Sequence, residues 1–370
     1  MKLGMVGLPN SGKSTLFNAL TESTAAAANY PFSTVDKNVG IVTVVDERLP
    51  VLQEIYGAKK STNATIEFVD IAGLVKGSRD GSGLGNKFLG HIREMDGLVH
   101  IVRLFEDENI PHVDGEIDPI RDMQTIELEL IFADMEQVDK RIAKVRKENK
   151  AGKGGREEIA LLERVMKGLE DETPVKAMNF TPEEAAYLSG MGLLSFKPMI
   201  YVANISDEDY ECVYGDAPKN PFIVPMREYL KERYCENREV FVVAARLEEE
   251  LIGLDDEQKR EFLEVVGKEE PVLDKITKAA YGAINLISFI TAGPKEVRAW
   301  TIPAGTQARH AAGKIHSDIE RGFIRAEIID FDTLTEQGSY NACKDAGLLR
   351  LEGKEYIVQE GDIILFRFNV

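Results

Sequence analysis

Eight residues near the start, Gly7-Leu-Pro-Asn-Ser-Gly-Lys-Ser14, constrain this chain more than any other feature. They satisfy G-x-x-x-x-G-K-[ST], follow the short apolar run 2–7 and precede a helical pattern from Lys13 to Leu20. In that strand–loop–helix setting the glycines let backbone N–H groups face phosphate oxygens, and the helix N-terminus adds positive potential. Lys13 is placed to neutralise β- and γ-phosphates and the Ser14 hydroxyl to ligate Mg²⁺, while Asn10, Ser11, Gly12 and Thr15 complete the phosphate-binding loop. Further strands are expected at Ile41–Val45, Ile66–Ile71, Gly97–Leu104, Pro198–Ala203 and Val240–Ala244. Strands alternating with helices imply an α/β fold with a mainly parallel sheet and helices on both faces.

Downstream motifs fit the same chemistry. Phe68-Val-Asp-Ile-Ala-Gly73 is a strand running into D-x-x-G, so Asp70 can reach the Mg²⁺ shell through water and the Gly73 amide can meet a γ-phosphate. Between the two motifs, Asn29-Tyr-Pro-Phe-Ser-Thr34 offers Thr34 as a second hydroxyl ligand to the metal, with Ser33 as the alternative. Gly77, Gly81, Gly83 and Gly85 give the following segment the composition of a switch loop that orders around a γ-phosphate. The base-reading slot is Asn204-Ile-Ser-Asp207, directly after the strand 198–203. A guanine reader has N-K-x-D here; Ile205 replaces the lysine, but Asp207 keeps a carboxylate able to accept from guanine N1–H and N2–H₂. Leu74 follows the D-x-x-G glycine, where many GTPases carry a glutamine that orients the attacking water. Leucine cannot do so, and hydrolysis is expected to be slow unless another group or a partner helps. His112, in Asn109-Ile-Pro-His-Val113, is the candidate catalytic side chain. Asn10 is a candidate holder of a monovalent cation such as K⁺.

The spacing between D-x-x-G and the base slot is about twice what a minimal switch domain needs, and an insertion explains it. Apolar residues recur at threes and fours from Ile120 to about Lys147, and again over Glu157–Leu169. The Gly/Lys break Lys150–Gly155 separates them, which predicts an antiparallel helical hairpin. Its tip carries Lys140, Arg141, Lys144, Arg146, Lys147, Lys150, Lys153 and Arg156 against Glu148 alone. That reversal is informative in a chain with 45 basic and 63 acidic residues, whose net −18 disfavours indiscriminate binding to nucleic acid or anionic membrane. The stretch 207–274 is acidic and reads as a solvated outer face. A new pattern begins near Leu286: a strand at Val297–Ile302, a helix at Gly313–Gly322, a strand at Arg325–Asp330 and a last strand at Asp362–Val370, together a compact α+β module. Cys212, Cys235 and Cys343 form no C-x-x-C pair, and the five histidines show no H-E-x-x-H spacing, so neither a disulfide framework nor a zinc hydrolase is supported. No leader-like or membrane-spanning apolar run is found, which points to a cytoplasmic protein with no membrane partner.

Taken together, Gly7–Ser14, Asn29–Thr34, Asp70-Ile-Ala-Gly-Leu-Val-Lys-Gly77, the hairpin and the C-terminal module resemble the YchF family, the Obg-related ribosome-associated P-loop ATPases. Lys295-Glu-Val-Arg-Ala-Trp300, Ala312-Gly-Lys-Ile-His316 and Gly322-Phe-Ile-Arg325 look like a TGS domain, and Gly361–Val370 resembles that family's chain end. The resemblance implies an Obg-type P-loop NTPase domain over 1–281, interrupted by the coiled-coil insertion 120–195, and a β-grasp TGS domain over 282–370. It implies an Mg²⁺-dependent hydrolase and switch that prefers ATP to GTP and binds the ribosome through its large subunit. RNA contact would run through the basic hairpin tip and through Arg298, Arg309, Lys314, Arg321 and Arg325. By the same analogy Asn204 and the Ile205 backbone face the adenine edge, Leu74 is the family's hydrophobic replacement of glutamine, and His112 occupies the catalytic position. The family has N-x-x-E in the base slot; Asp207 departs from it and keeps a GTPase of the Obg class in view. A ribosome- or RNA-binding adaptor with a mainly structural nucleotide is the third reading.

Overall fold

The computed structural model describes residues 1–25, 38–72, 84–150, 155–210, 220–235, 238–254, 257–258, 261–262 and 271–369. The chain divides into two compact units, one of residues 1–40 with 67–276 and one of residues 41–66 with 277–370. Twelve strands are described: β1 (Lys2–Val6), β2 (Val39–Val44), β3 (Ser61–Thr62), β4 (Ala64–Asp70), β5 (Gly97–Arg103), β6 (Met199–Asn204), β7 (Val240–Val243), β8 (Leu286–Ala292), β9 (Val297–Pro303), β10 (Phe323–Ile329), β11 (Arg350–Glu352) and β12 (Ile363–Phe368).

The first sheet has the order β2-β4-β1-β5-β6-β7. Its pairings β4–β1, β1–β5, β5–β6 and β6–β7 are all parallel, as the alternation of strands and helices requires. β5 is buried at every position and β1 at all but Lys2, which is why both read as unbroken apolar runs rather than alternating ones. Register matters for function. Met5 pairs with Asp70, Arg103 with Asn204, and Asn204 with Val243, so β1 and β4 end near one another and β5, β6 and β7 end together on the same side, β5 running on past the Val6–His100 pair. In an open parallel sheet that carboxyl edge is where a ligand crevice forms.

Helix α1 (Lys13–Ala25) leaves the phosphate loop and buries Leu16, Ala19 and Leu20 on one face; α2 (Arg48–Tyr56) and α3 (Leu84–Arg93) follow it in the chain. Between β5 and β6 run α4 (Pro119–Lys150) and α5 (Arg156–Glu170), the expected hairpin. Ile131, Val138, Ile142 and Val145 of α4 meet Leu161, Leu162, Val165 and Leu169 of α5 in a core of their own. At the basic tip, acidic neighbours reduce the exposed charge: Arg141 pairs with Glu158 and Arg146 with Glu163 across the hairpin, and Lys140 pairs with Glu136 one turn earlier on its own helix. Among the described side chains, Lys144, Lys147 and Arg156 make no ion pair; Lys150 and Lys153 lie outside that set.

The second unit is built on a sheet of order β11-β10-β12-β8-β9-β3. β8 and β9 form an antiparallel hairpin, β12 lies parallel to β8, and β10 is antiparallel to β12 and β11. The helix Ala308–Ile315 packs Ala308, Ala311 and Ala312 onto Phe289, Ile302, Ala326, Ile328 and Phe366, giving the β-grasp arrangement. Where the spacing predicts one helix at Gly313–Gly322 there are two, Ala308–Ile315 and Ser317–Arg321. His316 separates them in extended backbone, and its side chain accepts from the Asp318 amide, capping the second helix. Residues 41–66, which the sequence reading leaves in the nucleotide domain, belong to this unit. β3 adds to its sheet beside β9, and Arg48 bridges Asp46 and Glu360. Among the described residues no helix is long and apolar enough to cross a membrane.

Candidate nucleotide site

The loop between β1 and α1 turns sharply at Asn10 and Gly12, both in the left-handed region at φ 65° and 85°. Asparagine tolerates that conformation and glycine adopts it freely. A Cβ on Gly12 would also sit 2.1 Å from Nδ2 of Asn204, so the position excludes larger residues on two counts. Asn204, at the end of β6, is buried; its amide donates to the Ser11 carbonyl at 2.9 Å and its oxygen accepts from the Ala245 amide at 3.0 Å. One side chain thus ties the phosphate loop to the ends of two neighbouring strands. Its neighbour Ile205 gives its backbone N–H to the Val243 carbonyl at 2.8 Å.

Lys13 is buried and forms an ion pair with Asp70 at the end of β4. The Ser14 hydroxyl donates to the other oxygen of the same carboxylate at 2.9 Å. Two motifs more than fifty residues apart therefore converge on one point. A hydroxyl and a carboxylate side by side are hard oxygen donors of the kind Mg²⁺ takes, so the residues present fit that ion.

Beside this point lies a cleft of about 1,020 Å³ that Asn10, Gly12, Ser14, Thr15, Asn204, Ile205 and Asp207 help to line. Burial raises the Asp207 carboxyl above the usual range, assisted by Glu250 and opposed by Arg246. The sequence reading missed the other walls. Phe105 and Phe222 line the cleft with Leu104 and Pro221, supplying apolar and aromatic surface. Buried Asn220 braces them, donating to the Leu104 carbonyl at 2.7 Å and to Asp209, and accepting from the Phe222 amide. Arg103, buried at the end of β5, holds the wall loop from beneath through the Phe105 and Ile110 carbonyls. None of these positions carries a motif signal, because lining residues on separate loops have no fixed spacing.

His112 does not line the cleft. Its Nε2 is 2.9 Å from Asp122, its Nδ1 accepts from the Asp114 amide at 3.1 Å, and Asn10 donates to the carbonyl of the preceding Pro111 at 3.0 Å. Burial raises the Asp122 carboxyl, opposed by His112 and Arg121. Thr34, Ser33, Gly73, Leu74 and the glycines Gly77, Gly81 and Gly83 lie outside the described residues, as does Cys212.

Residues 2–148 match the family described as "50S ribosome-binding GTPase", and residues 286–369 match the YchF-GTPase C-terminal family, described as a protein of unknown function. A Bacillus subtilis protein named "Ribosome-binding ATPase YchF" is 49% identical over 368 residues, covering 99% of each chain. The chain belongs to the YchF family. A relative of the same name from Escherichia coli O157:H7 is 45% identical over 371 residues, covering 100% of this chain and 99% of its own. The solved YchF GTPase of Schizosaccharomyces pombe is 37% identical and superposes with a TM-score of 0.88 over 99% of this chain and 97% of its own. A GTP-binding protein from Pyrococcus horikoshii, 19% identical with a TM-score of 0.61 over the full length of both chains, shares the fold. The Schizosaccharomyces pombe match spans the hairpin inserted into the nucleotide-binding sheet and the separate C-terminal module alike.

Proposed function

We propose that this chain is an Mg²⁺-dependent nucleotide switch that hydrolyses ATP to ADP and phosphate, prefers ATP to GTP, and binds the ribosome in the cytoplasm. The observation that carries the reading is full-length identity of 42–49% to curated proteins named ribosome-binding ATPases. The meeting of Lys13 and Ser14 at Asp70 supports it on chemical grounds.

Lys13 neutralises charge on the β- and γ-phosphates while the loop amides from Asn10 to Thr15 cradle them. Ser14, Asp70 through water, and Thr34 are the residues that would hold Mg²⁺, which when bound offsets phosphate charge. The Gly73 amide reads the γ-phosphate. Ile205 and the aromatic walls braced by Asn220 take the base, Asn204 holds the phosphate loop beside it, and Asp207 closes that end. With Leu74 unable to orient water, His112 assists hydrolysis, and turnover without a partner is slow. Asn10 is the residue that would hold K⁺. The nucleotide domain lies within 1–281 apart from residues 41–66, which join the C-terminal unit, and the insertion 120–195 and the TGS domain 282–370 carry the signal. Ribosome binding is to the large subunit, with Lys144, Lys147, Lys150, Lys153 and Arg156 on the hairpin and cations of the TGS domain facing RNA. Such contacts predict affinity that falls as salt rises.

Calorimetry with ATP and with GTP, each with Mg²⁺, tests the nucleotide. Tighter ATP binding is expected. GTP binding tenfold tighter, about 1.4 kcal/mol, would overturn the ATP preference and favour the second reading, a GTPase in which Asp207 reads guanine. Lys13→Ala should abolish turnover and make ribosome co-sedimentation insensitive to nucleotide. Ribosome binding by this variant that equals wild type in every nucleotide state would sink the switch.

A further inference from the structure

We propose that Asp122 is a positioning residue that stows His112 against the first turn of α4, so that the imidazole serves the nucleotide only after this hydrogen bond opens. The inference rests on the reading of His112 as the group that assists hydrolysis. Three observations carry it.

The first is the ring itself. Nδ1 accepts from the Asp114 amide, so the ring proton sits on Nε2 and is donated to Asp122. Neither nitrogen is left to take a proton from water or to give one to phosphate, and a general acid or base needs one of the two. The second is location. The side chains of His112 and Asp122 are 3% and 5% exposed, and His112 is absent from the cleft wall formed by its own loop, to which Phe105, Asp107 and Ile110 contribute. The third is connection. Asn10 of the phosphate loop holds the Pro111 carbonyl, one residue before the stowed ring, while Asp122 sits in the first turn of a helix of 32 residues. At 1.5 Å per residue that helix is about 48 Å long. The stow therefore joins the phosphate loop to the base of the hairpin.

Opening it is physically accessible. Arg121 lies 3.4 Å from the other oxygen of Asp122 and 3.6 Å from Asp114, and is anchored to the Glu116 carbonyl at 2.6 Å. When His112 leaves, the Asp122 carboxylate keeps a cationic neighbour and is not stranded as a lone buried charge. A partner that grips the hairpin can act on the stow through α4.

The test is Asp122→Asn, which weakens the bond to Nε2–H by removing its charge. Nitrogen NMR of the His112 ring should show the Nε2–H tautomer in the wild type and a mixture in the variant. Turnover of ATP without ribosomes should rise about fivefold at unchanged KM, and the rise should vanish when His112→Ala is added. Asp122→Glu, which displaces the carboxylate but keeps its charge, should raise turnover in the same direction and covers the case in which Asp122→Asn does not fold. An unaltered ring spectrum overturns the proposal, as does turnover that falls or stays level while the ring changes. Full turnover by His112→Ala alone would instead remove His112 from hydrolysis, with the ring spectrum still deciding whether Asp122 stows it.

Discussion

Buried polar side chains in this protein divide by what they touch, and His100 shows how much a partner matters. It lies on β5 beside Tyr201, 1% exposed, with Nδ1 finding no hydrogen-bond partner among the described residues. Burial lowers its pKa from 6.5 to about 4. The folded protein therefore declines a proton that the unfolded chain accepts, and stability present above pH 6.5 is lost as pH falls from there towards 4. The full loss is on the order of 3 kcal/mol. In acid-titrated thermal melts, His100→Phe should flatten that part of the profile. Asn204 is the opposite case, with both ends of its amide bonded. Asn204→Ala strands the Ser11 carbonyl and the Ala245 amide, and is expected to lower stability by about 2 kcal/mol and to weaken ATP binding in calorimetry. Unchanged affinity would mean that the phosphate loop holds its shape without the tether.

At the scale of elements, helix ends and helix cores obey local chemistry. Thr181 caps the helix Pro182–Met191, accepting from the Glu184 amide while the Glu184 side chain accepts from the Thr181 amide. This capping box is written in the sequence as Thr-Pro-Glu-Glu, a start signal legible without coordinates. Thr181→Ala should cost about 1 kcal/mol by denaturant melt. Leu162, wholly buried between α4 and α5, should cost 2–5 kcal/mol on truncation to alanine, by the usual cavity scale of about that size. Because the hairpin has its own core, ATP affinity should be unaffected by that change; a parallel loss of affinity would show that hairpin packing supports the cleft. The basic tip teaches a different lesson. Counting charge along the chain finds eight cations, whereas in space Glu136, Glu158 and Glu163 answer three of them.

At the scale of the whole molecule, the second unit depends on a segment remote in sequence. Arg48 accepts a place between Asp46 and Glu360, and the Glu360 carboxylate also receives the Ser288 amide. Arg48→Ala should lower the melting temperature of this unit while leaving ATP binding unchanged. A melt identical to wild type would show that β3 and its neighbours hold residues 41–66 without the bridge. Glu327, paired with Arg367, Arg325 and Tyr340, is held down to about 2 by those donors, the Arg367 hydrogen bond foremost. Its contribution to this unit is present above pH 4.5 and is lost only as pH falls towards 2.

The sequence by itself determined the chemistry of the phosphate loop, the existence of the hairpin and the family. Each of these is local: backbone geometry at a glycine, a hydroxyl beside a lysine, or a helical period repeated over thirty residues. Gly7–Ser14 and Asp70 are legible because phosphate binding needs those residue types at those spacings. Only the tertiary structure decided which side chains share a neighbourhood. It brought Asp70 to Lys13 through strand register, placed 41–66 with the C-terminal sheet, built the cleft from Phe105 and Phe222, and turned His112 towards Asp122. Those outcomes depend on packing and hydrogen bonds between residues far apart in the chain, where no spacing rule operates.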